Sequence, residues 1–289
     1  VSGGAVRAQA NGPVGLASQV GSQNRLGGNR FRVTMPIERQ AVLPATASRA
    51  RRKAATLEWI RELNETPGVE SAVPNHRVRT SSVTCSTDPA QPKCQNEYGR
   101  QQWHYELIKA QSAWEEDVSG QGVRVAVLDT GVAEIDKDWH PDLAPNIDCK
   151  QGNREDDCFD AVDGGRPIDN SGSHGTHVAG LAAAAATNDG DVTGMAYESR
   201  LVPVRVLGGI EGTVADVIEG VEWVVNDGNP RADVINLSLG SQTENPTLGD
   251  AVAQASDAGI LVVAAAGNAG DDRPFYPAAF PSVLAVGAV

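Results

Sequence analysis

Four stretches of this sequence, residues 123–128, 201–206, 234–237 and 260–264, are near-continuous apolar runs without regular alternation. A strand with one face in water alternates apolar and polar side chains, whereas a strand covered on both faces does not. Helical periodicity fills the intervals, near residues 175–186, 213–227 and 247–258. Buried strands separated by helices predict an α/β domain, a parallel sheet flanked by helices. In open sheets of this kind ligands bind beyond the carboxyl ends of the strands, so functional residues are sought there. Residues 282–289 form a further apolar run that reads as another buried strand, and a domain seldom stops inside its core.

The first 80 residues differ in character. Residues 1–30, rich in Gly, Ala, Ser and Gln, commit to no element, whereas Phe31-Arg32-Val33-Thr34-Met35 alternates and predicts a strand. Leu57, Ile60 and Leu63 then recur every three residues, with Ala54 and Trp59 beside them. That pattern predicts an amphipathic helix ended by Pro67-Gly68, followed by an alternating strand over residues 69–74. Residues 1–80 thus read as a small α+β module that buries little by itself. Residues 81–102 are polar and read as a linker or processing region, which leaves residues 103–289 for the α/β domain.

Charge divides along the same line. Residues 1–80 carry 12 Lys/Arg against 5 Asp/Glu, a balance of +7, and residues 81–289 carry 12 against 32, a balance of −20. Opposite signs suggest modules that attract each other, a solvated basic arm being the alternative. The acidic majority would repel phosphates, which disfavours nucleic acid as a partner. No run of 18 apolar residues occurs, so no membrane-spanning helix is expected. The four cysteines fall in two local pairs, Cys85/Cys94 and Cys149/Cys158, without the two-residue gap of a zinc or redox motif. Two disulfides and an oxidising compartment are expected, each closure contributing roughly 2.5–3 kcal/mol; free thiols in a reducing cytosol are the alternative. The sequence opens at Val1 without a basic or apolar leader, so any signal peptide is expected to have been removed or to lie outside it.

Three motifs carry chemistry. Asp129-Thr130-Gly131 places a carboxylate just past the end of a buried strand. Aspartic proteases use the same tripeptide but need two carboxylates sharing a proton, and it occurs once here. An Asp capping a turn is the plainer reading. Ser173-His174-Gly175-Thr176-His177-Val178-Ala179-Gly180 opens a helix with His174 at its start. The helix N-terminus disfavours a charged imidazole and a nearby Asp129 favours it, a balance suited to a base that gains and loses a proton. His174 and His177 could also be a metal pair, although metal helices more often use the i, i+4 spacing around a Glu. Ala264-Ala265-Ala266-Gly267-Asn268 follows a buried strand, and Asn268 is either a turn residue or an amide donor aimed at a developing oxyanion.

Taken in this order, the motifs resemble those of the subtilisin-like serine proteases, or subtilases, from about Trp103 to Val289. His140-Pro141-Asp142-Leu143, Asn236-Leu237-Ser238-Leu239-Gly240 and Tyr276-Pro277 extend the match. The resemblance implies a secreted serine endopeptidase with Asp129 orienting the imidazole, His174 as general base and Asn268 as oxyanion donor. It implies substrate-binding strands at Ser238, Leu239 and Gly240 and at Ala265, Ala266 and Gly267, holding an extended polypeptide by its backbone. Phe275 would border the side-chain pocket, and a broad preference for apolar or aromatic residues before the cleaved bond is expected. A structural Ca²⁺ is implied at Asp142, Ala186, Asn188, Gly190 and Val192, with no organic cofactor. Residues 30–80 resemble the family's inhibitory propeptide, so the basic segment is expected to dock on the acidic domain, more weakly at high salt. Its C-terminal tail would lie in the cleft until cleaved, between about residues 75 and 100.

One departure is large. The family's nucleophile sits in a Gly-Thr-Ser segment, and no Gly-Thr-Ser occurs in these 289 residues. Ser238 matches a substrate-binding position instead. The expectation is a coding sequence that continues past Val289, with the 289-residue chain itself inactive for want of its nucleophile. A non-catalytic peptide-binding protein on the same fold is the alternative.

Overall fold

The computed structural model describes residues 5–10, 22–27, 30–34, 49–67, 69–74, 77–80, 103–149, 158–169, 173–186, 192–226 and 231–288. They group into two compact units, Val1–Arg77 with Thr213–Ala215, and Val78–Gly212 with Asp216–Val289.

The first unit contains β1 (Ala5–Ala10), β2 (Ser22–Gly27), β3 (Arg30–Thr34), α1 (Arg49–Asn64) and β4 (Val69–Pro74). Its four strands form one antiparallel sheet in the order β2–β3–β1–β4. Trp59, Ile60 and Leu63 of α1 are buried with Val33 and Ala72. Leu57, expected on the same stripe, is 44% exposed, and Thr56 is buried in its place. At 3.6 residues per turn a repeat of three drifts by about 60° at each step, so Leu57 leaves the face that Leu63 occupies. The Asn64 amide fixes the helix end to β4, donating to Ala72 O at 3.0 Å and accepting from Ala72 N at 2.6 Å.

The second unit begins within β5 (Arg77–Thr80) and continues through α2 (Trp103–Leu107), α3 (Ala110–Trp114) and β6 (Arg124–Asp129). A short hairpin follows, β7 (Glu134–Ile135) with β8 (Asp138–Trp139), then β9 (Phe159–Asp160), α4 (His174–Ala183) and β10 (Arg200–Arg205). The chain completes with β11 (Glu211–Thr213), α5 (Val214–Val225), β12 (Val234–Leu237), β13 (Leu239–Gly240), α6 (Pro246–Asp257), β14 (Leu261–Ala265) and β15 (Val283–Val286). Six strands make a wholly parallel sheet in the order β15–β14–β12–β6–β10–β9. This is the predicted α/β architecture, with Val127, Leu128, Leu201, Val204, Ile235, Leu237 and Val262 in its core.

Strand order explains where a site can form. From β6 the chain crosses to β9 and β10 on one side, then passes over to β12, β14 and β15 on the other. The sheet therefore reverses its winding at β6, and a crevice opens beyond that strand's carboxyl end. Helix α5 seals the sheet nearby: a methyl on Gly220 would meet Val206 Cγ1 at 2.6 Å and Val204 Cγ1 at 3.1 Å. Helix α6 starts cleanly because the Asn245 side chain accepts from Leu248 N at 3.1 Å and Pro246 takes the first turn. The terminal apolar run does form a strand, but its burial differs from expectation, with Leu284 53% and Val286 50% exposed at the sheet edge. No described helix is long and apolar enough to cross a membrane.

Candidate active site at the switch point

Asp129 is the last residue of β6, so it stands where the sheet reverses. Its carbonyl is held by Val206 N at 2.8 Å and Leu207 N at 3.1 Å, the backbone leaving β10. The turn that follows must be tight. Gly131 has φ +97°, and a methyl there would lie 2.4 Å from Pro167 O. A methyl on Gly175 would lie 2.3 Å from Gly131 O, so only glycine lets the start of α4 reach this turn.

Thr130, itself buried, ties the parts together. Its hydroxyl donates to Asp169 Oδ2 at 2.8 Å and accepts from Gly175 N at 2.9 Å. Thr176 adds a second tie, its hydroxyl accepting from Ala133 N at 2.9 Å. These contacts place the first residue of α4, His174, over the end of β6. His174 Nδ1 lies 2.7 Å from Asp129 Oδ1, which also accepts from Thr130 N at 2.7 Å. Among the described residues no hydrogen bond reaches Asp129 Oδ2.

The Asp129 carboxylate is fully buried, and the His174 side chain is 17% exposed. A carboxylate at Nδ1 draws the ring proton to that nitrogen and leaves Nε2 with its lone pair. The pair can therefore accept a proton at Nε2 and stabilise the resulting imidazolium. His177 adds little positive charge nearby: partial burial, then the His174 and His104 rings, hold its pKa below the usual histidine value. Among the described residues no three His, Cys, Asp or Glu side chains converge as metal ligands, which leaves the His174/His177 metal pair unsupported.

Parallel pairing brings further predicted residues to the same edge. Ser238 follows β12, its hydroxyl accepting from Asn236 Nδ2 at 3.0 Å, and β13 comes directly after it. Asn268 follows β14 beyond Gly267, whose φ is +96°, and is exposed. Ala265 ends β14, and Ala266 N donates to Val286 O at 2.8 Å.

The residues Val78–Thr80 lie in this unit as the middle of a three-stranded sheet ordered β11–β5–β13. Thr80 pairs with Leu239 and Arg79 with Gly240, antiparallel. The strand on the far side is β11, which the sequence reading did not single out because Glu211-Gly212-Thr213 has no apolar pattern. Ala265 to Gly267 stand at the end of the parallel sheet instead. Asp169 was likewise not foreseen, since its link to Thr130 spans 39 positions.

Of the implied calcium ligands, Asp142, Ala186 and Val192 are described, while Asn188 and Gly190 lie outside the described residues. Asp142 O accepts from Ala185 N at 2.8 Å, and Ala184 O accepts from Gly194 N at 2.9 Å. The neck of the loop is thus closed beside Asp142. Cys149 and Cys158 form the expected disulfide, whereas Cys85 and Cys94, with the linker at 81–102, lie outside the described residues.

Known proteins share this arrangement of sequence. The Major intracellular serine protease of Bacillus subtilis is 40% identical over 63% of this chain and 56% of its own length. Subtilisin Savinase of Lederbergia lenta is 41% identical over 64% of this chain and 62% of its own. The Thermophilic serine proteinase of Bacillus sp. strain AK1 is 36% identical over 80% of this chain and 52% of its own. The chain thus spans little more than half the length of these relatives. Among solved structures, fervidolysin from Fervidobacterium pennivorans, a keratinolytic enzyme related to subtilisin, superposes with a TM-score of 0.67 over 98% of this chain and 42% of its own. At 22% identity that likeness concerns the fold alone. The profile of the Subtilase family covers residues 120–289, from just before β6 through the whole parallel sheet. This chain belongs to the subtilase family.

Proposed function

We propose that the full-length protein is a serine endopeptidase in which His174 is the general base, Asp129 orients it and Asn268 donates to the oxyanion. The observation that carries this reading is the 2.7 Å contact between a fully buried Asp129 carboxylate and His174 Nδ1 at the switch point of the sheet. A protein that only held peptides has no use for a base poised beside a buried carboxylate. The nucleophile belongs to a Gly-Thr-Ser segment outside these 289 residues, so the 289-residue chain alone is expected to form no acyl-enzyme. A fluorophosphonate probe is expected to label the full-length protein on one serine, which peptide mapping would place, and not to label residues 1–289. Hydrolysis of peptides without any labelling would overturn the serine mechanism, and peptide binding without hydrolysis would favour a non-catalytic cleft.

Residues 1–80 are read as an inhibitory propeptide. The support is the antiparallel pairing of Arg79 and Thr80 with Gly240 and Leu239, the geometry of a peptide added to a strand edge. An extracellular setting rests on the Cys149–Cys158 disulfide, which would not persist in a reducing cytosol.

Calcium is the expected structural ion, held by the Asp142 carboxylate, the Asn188 side chain and the carbonyls of Ala186, Gly190 and Val192. Hard oxygen donors on a loop closed at its neck suit Ca²⁺, which would join the end of α4 to the Asp142 turn. Chelation is expected to lower the Tm of the full-length protein by about 5–10 °C, following a loss of about 2.7 kcal/mol at a hundredfold excess over Kd. Ca²⁺ should restore it and Mg²⁺ should not; an unchanged Tm would exclude the site.

A further inference from the structure

Two glycines and one aromatic ring decide what side chain this cleft can take. Gly240 lies just past the end of β12 and Gly267 just past the end of β14, both strands of the sheet that carries Asp129. Neither has a side chain, and the Phe275 ring occupies the space on both. A methyl on Gly240 would lie 2.6 Å from Phe275 Cε1 and 2.3 Å from Tyr276 O. A methyl on Gly267 would lie 2.9 Å from Phe275 Cγ and 3.1 Å from Cδ1 and Cδ2. The ring is therefore in contact with both α-carbons. The backbone that carries it is held: Ser241 N donates to Tyr276 O at 2.9 Å, Tyr276 N to Ser241 O at 2.8 Å, and Ala279 N to Phe275 O at 2.9 Å.

The register of β5 on β13 shows which part of a bound peptide meets this ring. Directly opposed residues on antiparallel strands carry their side chains on the same face, and that face recurs every second residue. The position opposite Gly240 and the position opposite Ser238 therefore share the face on which Phe275 lies. Moving toward Ser238 is also moving toward the chemistry. Asn236 pairs with Val127, so Ser238 and Asp129 each stand two residues further along neighbouring strands. The peptide residue opposite Ser238 is thus the one next to the reacting centre.

We infer that Phe275 is a specificity-determining residue: its ring fills the pocket between Gly240 and Gly267 and restricts cleavage to peptides with Gly, Ala or Ser before the scissile bond. This rests on the protease reading and narrows the broad apolar or aromatic preference expected from the sequence. A Phe, Leu or Met side chain would have to displace the ring packed on Gly240 and Gly267, whereas a methyl or hydroxymethyl would not.

The test uses the full-length protein with a peptide library varied only at the residue before the cleaved bond. Wild type is expected to cleave Ala and Ser peptides at least about tenfold faster in kcat/KM than Phe or Leu peptides. Phe275→Gly should reverse that order, raising kcat/KM for Phe peptides about tenfold or more relative to Ala peptides. A urea midpoint close to that of wild type reports that the variant is folded. Phe275→Tyr keeps the ring and should keep the restriction. Equal cleavage of Phe and Ala peptides by wild type, or an unchanged profile in Phe275→Gly, overturns the proposal while leaving the protease reading intact. Failure of all three proteins to cleave any peptide overturns both.

Discussion

Asp129→Asn in the full-length protein is expected to lower kcat by about 10⁴-fold, with KM changed only a few-fold. The amide has two ways to fit and neither restores the carboxylate. With its oxygen at the Oδ1 position it keeps the bonds from His174 Nδ1 and Thr130 N, but its NH₂ then occupies the buried Oδ2 position, which makes no hydrogen bond among the described residues. Turned over, it donates to His174 Nδ1, moves the ring proton to Nε2 and leaves the base already protonated. In both arrangements the negative charge that stabilises the imidazolium is gone, in a site where burial makes that charge count. His174→Ala should cost a similar factor, and the double variant little more than either single one, because the two residues act as a unit. The measurement is single-turnover and steady-state hydrolysis of one peptide by all four proteins, with urea midpoints to show that the fold survives. A kcat within tenfold of wild type for Asp129→Asn would mean that the 2.7 Å contact serves structure and that the base lies elsewhere.

Much of this site is legible in the sequence, for a physical reason. Buried parallel strands have no polar face, so near-continuous apolar runs located β6, β10, β12 and β14 to within a residue. Asp129 and His174 stand out because each sits at an element boundary and is closely followed by a glycine that only a close approach explains. The order of the strands was not readable, since pairing β6 with both β10 and β12 depends on contacts distant in sequence. The Asp169–Thr130–Gly175 chain of hydrogen bonds was hidden for the same reason, because an Asp 39 residues from its partner has no local signature. In the first unit β1 and β2 escaped notice because Ala5–Ala10 and Ser22–Gly27 are small and polar. Backbone pairing with β3, more than any apolar stripe, accounts for them. The Cys149–Cys158 bond, by contrast, followed from spacing alone, since nine residues make a short loop that closes at modest entropic cost.

Arg205→Met is expected to cost about 3–5 kcal/mol of stability. Arg205 ends β10, opposite Asp160 on β9, and its side chain is only 8% exposed. Nη1 donates to Asp160 Oδ2 and Asp163 Oδ2, both at 2.8 Å. Burial alone would weaken the guanidinium's hold on its proton, but the hydrogen bonds and charges of Asp163 and Asp160 outweigh it and raise the pKa above the usual arginine value. Removing the cation strands the buried Asp160 carboxylate, which among the described residues keeps Val162 N at 2.8 Å and Asp163 N at 3.1 Å on its other oxygen. The partners are not equivalent. Asp163 is 70% exposed, so Asp163→Asn should cost under about 1 kcal/mol, as for an ion pair open to water. Arg205→Met combined with Asp160→Leu should recover most of the loss, because it removes the stranded charge together with its partner. Urea midpoints for the two single variants and the double variant test this directly, and a loss below about 1 kcal/mol for Arg205→Met would show that water reaches Asp160. The consequence for catalysis follows from the backbone. Val206 N and Leu207 N, the next two donors along the chain, hold the Asp129 carbonyl, so loosening the end of β10 should also loosen the carboxylate that orients His174.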